Sequence, residues 1–218
     1  MHRSLAWLIG ASLFILLLPS GPNLANPLDE PGKPPGEAQE TRATETIVLA
    51  GGCFWCLESD LEKLPGVVEA VSGYSGGRVA NPTYKDVSSG RTGHREVVQV
   101  TFDGQVLPLE ELLQVFWRNI DPLDDGGQFC DRGEQYTSAI FVENIQQQQV
   151  AEASLEALQA QFTDQAIATP ILPAAPFYPA EDYHQNYAKN NTITYSYYRF
   201  RCGRDRRLKQ LWDSSMDG

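Results

Sequence analysis

Two thiols three residues apart, with two large aromatic rings between them, make Cys53-Phe54-Trp55-Cys56 the segment best equipped for chemistry. The apolar run before it, Thr46 to Ala50, predicts a buried strand, and the run from Leu57 to Leu64 has helical spacing. Gly51-Gly52 turns the chain between the two, which sets Cys53 where a strand passes into a helix. A helix start leaves N–H groups unpaired and carries the positive end of the dipole. A thiol there is expected to ionise more readily than usual and to act as a nucleophile. Phe54 and Trp55 suit an apolar pocket wall beside a reactive sulfur.

The elements that must hold this segment follow from patterning. Val67 to Tyr74 reads as a strand, and so does Glu96 to Phe102, with Val97, Val98, Val100 and Phe102 apolar. Gly73 to Gly77 reads as a loop, with irregular chain continuing to about Gly93. Leu109 to Ile120 and Asn144 to Phe162 have helical spacing, and Ser138 to Val142 is a short strand. Asp121 to Gln135 is a long loop of the kind that usually serves function. Ile171 to Phe177 is extended and broken by proline, and Glu181 to Asn190 suggests a short helix that begins with two acids. Tyr195 to Trp212 shows no clear pattern. Interleaved strands and helices predict an α/β (α+β) domain with one mixed sheet covered by helices.

Composition narrows the function. With 218 residues and a formal charge of −11, the chain is not a general nucleic-acid binder. The late basic group, Arg199, Arg201, Arg204, Arg206, Arg207 and Lys209, reads as a solvated tail or helix face. Residues 1–25 have the anatomy of a signal peptide or N-terminal anchor, with an apolar run from Leu5 to Leu18 broken by Pro19. Residues 26–44 read as a linker, 45–212 as the catalytic domain and 213–218 as a tail. An exported domain is expected, periplasmic or otherwise extracytoplasmic. It would touch a membrane only through an uncleaved leader. Four cysteines in an oxidising compartment could form two structural disulfides. Cys53 and Cys56 are too close for a bond between them to stabilise much, so redox chemistry is the better use of that pair.

The Cys53 motif is followed in order by Gly73-Tyr74-Ser75-Gly76-Gly77, Asn81-Pro82-Thr83-Tyr84 and Thr92-Gly93-His94-Arg95-Glu96-Val97. Asp131-Arg132-Gly133-Glu134-Gln135-Tyr136 and Ala180-Glu181-Asp182-Tyr183-His184-Gln185-Asn186-Tyr187 complete the set. In order and spacing these segments, over residues 46–190, resemble the A-type peptide methionine sulfoxide reductases. The resemblance implies a two-layer, ferredoxin-like α/β fold and reduction of methionine S-sulfoxide, the R-epimer being left alone. It implies Cys53 as nucleophile, Phe54 and Trp55 as the seat of the S-methyl group, and Glu96 as general acid, which needs burial to raise its pKa. Tyr84 and Tyr136 would donate hydrogen bonds to the sulfoxide oxygen, Asp131 would order that polar group, and His184 and Tyr187 would line the site.

Attack would leave a sulfenic acid on Cys53, to be resolved by a second thiol. Cys202, in a flexible C-terminal setting, is the preferred resolver, with Cys56 as the alternative, and the two could act in series. Cys130 reads as a bystander, and His94 as structural. The reductant would be an external thiol, a thioredoxin-like protein, with no metal or organic cofactor. The substrates would be oxidised proteins or peptides and the enzyme a monomer. Two other readings compete: a general thiol–disulfide oxidoreductase using Cys53 and Cys56, and a disulfide-stapled or zinc-binding module. The first would not need Glu96 and the tyrosines, and the second lacks a further close pair of ligands.

Overall fold

A computed structural model describes residues 44–213. The expected leader, the linker up to residue 43 and the tail from residue 214 lie outside the described residues. The strands are β1 (Thr44–Ala50), β2 (Val67–Ser75), β3 (Arg95–Asp103), β4 (Gly127–Gln128), β5 (Asp131–Arg132), β6 (Ala139–Val142), β7 (Ile171–Pro173) and β8 (Tyr178–Pro179). The helices are α1 (Phe54–Leu61), α2 (Tyr84–Ser88), α3 (Leu109–Arg118), α4 (Ile145–Gln159), α5 (Tyr187–Asn190), α6 (Thr192–Cys202) and α7 (Arg204–Asp213).

One mixed sheet runs in the order β7-β6-β1-β3-β2-β8. Only the β6–β7 pair is parallel. Alternation along the central strands sorts side chains to two faces. Ile47 and Leu49 of β1 and Val98, Val100 and Phe102 of β3 join Leu57 and Leu61 of α1 and Leu112, Leu113 and Phe116 of α3 in the main core. Val48, Ala50 and Val97 face the other way, under Leu172, Ala175 and Phe177. Helices thus cover one face and an extended segment the other, which is the expected two-layer α/β sandwich. Each fully buried leucine of the main core contributes roughly 2 kcal/mol through its transfer from water.

The register fixes what the helix face offers. Glu96 lies on the same side of β3 as Val98 and Val100, and it pairs across the ladder with Tyr74 of β2. A single acid therefore points into the layer that contains α1. β2 continues to Ser75 rather than ending in a loop at Gly73, because β3 pairs with it as far as Arg95. The expected helix at 181–190 divides into a 3-10 turn (Asp182–His184) and α5, since Asn186 adopts a left-handed φ of 52° between them.

The unpatterned C-terminal stretch forms two helices, parted at Gly203 where φ is 73°. Of its basic residues, Arg201, Arg206 and Lys209 lie on exposed helix faces as expected, whereas Arg199, Arg204 and Arg207 do not. Arg199 pairs with Asp60 at 2.8 Å and with Asp205 at 2.7 Å, and Arg207 pairs with Asp121 at 2.7 Å. Arg204 is 1 % exposed, beside Asp60 and over the ring of Phe129. These ion pairs clamp α6 and α7 onto α1 and onto the loop after α3.

The turn before Cys53 has little tolerance. Gly52 has φ +82°, and a Cβ there would lie 2.5 Å from Cβ of Gln128 in β4. Gln128 cannot retreat cheaply, because its amide exchanges two 2.8 Å hydrogen bonds with the backbone of Asp121. Gly52→Ala is expected to destabilise the fold by roughly 2 kcal/mol or more. For a domain of this size that lowers the thermal midpoint by about 4–8 °C, which a calorimetric scan checks.

Candidate active site

Cys53 is the N-cap of α1, with φ −52° and ψ 116°, and its side chain makes no cap hydrogen bond. Its carbonyl instead starts the helix, accepting from the N–H groups of Cys56 and Leu57. The sulfur is left free for other partners. The first helical N–H, that of Phe54, donates to Oε2 of Glu96 at 3.0 Å. Glu96 is 3 % exposed, and burial pushes its carboxyl up to about 8, although the Phe54 N–H pulls the other way. The nearby charges of Asp131 and Cys56 add to the rise. At neutral pH Glu96 is therefore protonated, an acid held at the start of the helix that carries the thiol.

Around this pair lies a belt of aromatic and hydroxyl groups. Trp55 stacks on Tyr187 at 3.7 Å with 7° between the ring planes, and its Nε1–H donates to Nδ1 of His184 at 3.0 Å. His184 also packs against Phe54 at 5.0 Å and Tyr84 at 4.5 Å, and burial depresses its pKa, so it is neutral. Tyr136 lies beside Tyr84 and partly offsets the rise of its phenol. Burial and the Glu96 charge push both phenols upward, which keeps them as donors. Two groups hold this belt in place. Glu181 accepts from the N–H of Tyr84 at 2.8 Å and from the hydroxyl of Tyr74 at 2.9 Å. Asp131, at the start of β5, accepts from the hydroxyl of Tyr198.

The thiols differ from expectation in two ways. Cys53 does not ionise more readily. Burial first, then the hydrogen bond to Cys56 and the charges of Cys56 and Glu96, push its thiol well up, and only the Tyr198 hydroxyl opposes this. The helix start is outweighed because the sulfur is enclosed. Cys56 is drawn the other way, to about 7, by its interaction with Cys53 and by the Arg204 and Arg199 charges, against its burial. The pair holds one proton between two sulfurs. Secondly, Cys130 is not a bystander. It is joined to Cys202 in a disulfide spanning 72 residues, with Cα atoms 4.9 Å apart. Cys53 and Cys56 are free thiols. Among the described residues the one cluster with metal-ligand spacing is Cys130, Asp131 and Cys202, and two of its three donors are spent on that disulfide.

The sequence profile of the peptide methionine sulfoxide reductases matches residues 45–216. The chain belongs to the peptide methionine sulfoxide reductase family. It is 47% identical over 214 residues to the peptide methionine sulfoxide reductase MsrA/MsrB of Vibrio cholerae, covering 97% of this chain and 55% of that protein. The chain thus spans about half the length of that relative. It is 52% identical to the peptide methionine sulfoxide reductase MsrA 2 of Caulobacter vibrioides, over 78% of this chain and 86% of that protein. Methionine sulfoxide reductase A of Corynebacterium diphtheriae superposes with a TM-score of 0.63 at 35% identity, covering 69% of this chain and 76% of that one.

The structure brings Cys53, Cys56, Phe54, Trp55, Tyr84, Glu96, Asp131, Tyr136, His184 and Tyr187 to one end of α1, with Cys202 linked to them through Asp131. His94 lies apart from this cluster, bracing the loop through the Gly77 N–H and the Val79 carbonyl. Sequence reasoning missed Tyr198, whose hydroxyl donates to Asp131 and also opposes the rise of the Cys53 thiol. It also missed Tyr195, which helps to lower the Cys56 thiol, and Glu181 as an anchor. Only the i, i+3 spacing of Tyr195 and Tyr198 hinted at a shared helix face. Tyr198→Phe is expected to slow alkylation of Cys53 by roughly tenfold near neutral pH, as its support of the thiolate is lost. Iodoacetamide kinetics across a pH series, with peptide mapping, check this. Unchanged kinetics would show that Tyr198 only packs.

Proposed function

We propose that the chain reduces methionine S-sulfoxide in peptides and proteins to methionine, using thiols as the electron source. The observation that carries this reading is the protonated, buried Glu96 bonded to the helix start that presents Cys53. A sulfoxide sulfur is a weak electrophile until its oxygen is protonated. The site sets a proton donor and two phenolic donors, Tyr84 and Tyr136, around the place where that oxygen would lie. Phe54 and Trp55 would seat the methyl group and exclude water.

Cys53 attacks the sulfoxide sulfur while its own proton passes to the Cys56 sulfur, its hydrogen-bond partner. Glu96 protonates the oxygen. The oxygen ends on Cys53 as a sulfenic acid, and methionine leaves with the two electrons that Cys53 has given up. Cys56 then attacks the Cys53 sulfur, a disulfide forms and water leaves. The sequence places Cys202 first in this step. The contact between the Cys53 and Cys56 thiols favours Cys56, because Cys202 is engaged with Cys130. A thioredoxin-like dithiol closes the cycle. The leader anatomy from Leu5 to Leu18 supports work outside the cytoplasm, which cell fractionation of the intact protein checks.

The direct test is turnover of a peptide carrying one epimer of methionine sulfoxide with dithiothreitol as reductant. Methionine is expected from the S-epimer and not from the R-epimer. Equal turnover of both, or of neither by folded, reduced protein, would overturn the reading.

A further inference from the structure

Helix α1 carries an enclosed acid that the reaction leaves unused. Glu58 lies one turn beyond Trp55, is 1 % exposed, and shares the buried side of the helix with Phe54, Leu57 and Leu61. Burial of a carboxyl is costly, and an apolar residue would suit this place better if packing were all it did. We propose that Glu58 is a positioning residue for the methyl seat: through the backbone of Asn186 it sets Tyr187 flat against Trp55, and so fixes the indole wall that receives the S-methyl group. This rests on the sulfoxide reductase reading and adds to it the residue that shapes the seat.

Trp55, Glu58 and Glu62 recur at i, i+3 and i+7 along α1 and so share one stripe of the helix. Each meets a residue of the segment that opens or forms α5. Trp55 stacks on Tyr187 at 3.7 Å, Oε1 of Glu58 accepts from the N–H of Asn186 at 3.2 Å, and Glu62 pairs with Lys189 at 2.8 Å. The Lys189 side chain is exposed, so its ion pair is worth little. The Glu58 contact is the enclosed one, and the only one of the three that grips the backbone.

It grips the chain at the residue that sets the direction of α5. Asn186 adopts φ 52° and ψ 34°, a left-handed conformation that costs any residue but glycine. Its carbonyl accepts from the N–H groups of Lys189 and Asn190 and starts the helix. Just before it, the Gln185 side-chain amide is bonded to both backbone groups of Ser72, at 3.0 and 2.9 Å. The turn is thus held on one side by β2 and on the other by α1. Tyr187 is the first residue of α5, so the direction of its ring follows from the peptide that Asn186 presents. Without the Glu58 oxygen, Asn186 is free to relax from its left-handed conformation and to turn Tyr187 away from the indole.

Burial pushes the Glu58 carboxyl up to about 7, against the pull of the Asn186 N–H, and the Glu62 charge adds to the rise. Protonated or not, the carboxyl keeps an oxygen that can accept from Asn186, so positioning does not require the charge. The proton donor is fastened elsewhere, Glu96 being bonded to the Phe54 N–H at the start of α1. The seat holds the methyl group alike before and during oxygen transfer. Loosening it should therefore weaken binding and spare the chemical step.

Steady-state kinetics on the full chain test this, with a methionine S-sulfoxide peptide and excess dithiothreitol, each variant first checked by its melting transition. Glu58→Ala is expected to raise KM roughly tenfold and to leave kcat within about twofold of wild type. Glu58→Gln keeps an oxygen for the Asn186 N–H at the same reach, and its KM should stay within about threefold of wild type. Glu58→Ala/Tyr187→Ala should be no worse than Tyr187→Ala alone, since one residue acts through the other. If Glu58→Ala does not fold, Glu58→Met, of similar volume and without an oxygen, takes its place with the same expectations. An unchanged KM, a fall confined to kcat, equal damage from Glu58→Gln, or additive losses in the double variant would each overturn the positioning role and leave the reductase reading intact. Wild-type protein that forms no methionine would overturn both.

Discussion

Cys53→Ser is expected to abolish methionine formation, with turnover falling roughly a thousandfold or more. The effect is large because nothing else at the site can take over the attack. A serine hydroxyl has far too high a pKa to yield an alkoxide here. Cys56, though ionised more easily, is 2 % exposed behind Cys53 and is held by Tyr195 and the Arg199 and Arg204 charges. The fold should survive. The Cys53 side chain caps nothing, and its backbone angles suit any residue. Loss of activity with an unchanged melting transition is thus the expected pair of results, measured with dithiothreitol so that recycling does not limit the rate. A variant retaining a tenth of wild-type turnover would move the nucleophile to Cys56. The same variant also removes the proton donor that lowers the Cys56 thiol. Its single remaining inner thiol should therefore titrate higher than about 7, the value it has in the pair.

What the sequence disclosed about this site follows from how local each signal is. The place of Cys53 at a strand-to-helix turn needs only the run Thr46 to Leu64, and the strand that carries Glu96 needs only the apolar residues of β3, although Glu96 by itself reads as solvent-facing and its role comes from the matched motif. Both are short-range periodicities. The acidity of Cys53 was misjudged because a helix-start argument contains no term for enclosure, and enclosure depends on α6, which is distant in sequence. α6 itself was illegible for a physical reason. Its inner face is Tyr195, Tyr198, Arg199 and Cys202, held by hydroxyl contacts and an ion pair to Asp60 rather than by an apolar stripe. A hydrophobic pattern cannot reveal a helix that docks through polar groups. The partner of Cys202 is likewise a tertiary fact, since Cys130 is 72 residues away and reaches it only once the β4–β5 hairpin has folded. The polar clamp of Arg204 belongs to the same class. The arginine reads as a surface charge until Asp60 and Phe129 are placed around it.

Glu96→Gln separates the chemistry of the site from its stability, because the two should change in opposite directions. Glutamine keeps the shape and can still accept from the Phe54 N–H, but it has no acidic proton to give the sulfoxide oxygen. Turnover should fall by roughly a hundredfold or more. In wild type the rate should decline as pH rises past about 8, where Glu96 loses its proton, and decline below about 7, where the Cys56 sulfur gains one. These are properties of coupled groups, so the profile is a narrow bell belonging to the site as a whole. In Glu96→Gln the upper limb should vanish from what activity remains. Stability carries the other sign. Glu96 has its ordinary carboxylate pKa in the unfolded chain and a raised one in the fold, so between those values the folded state binds the extra proton. Stability must then fall as pH rises from the ordinary carboxylate range to about 8, and level off above it. Glutamine abolishes that fall. Its melting temperature should exceed that of wild type at pH 9, with the advantage shrinking as the pH is lowered towards 5. A wild-type melting temperature that holds constant across this range, or an upper limb that persists in Glu96→Gln, would mean that the acid is not Glu96. The proton would then have to come from one of the two phenols, Tyr84 or Tyr136, whose raised pKa values make them good hydrogen-bond donors and poor acids.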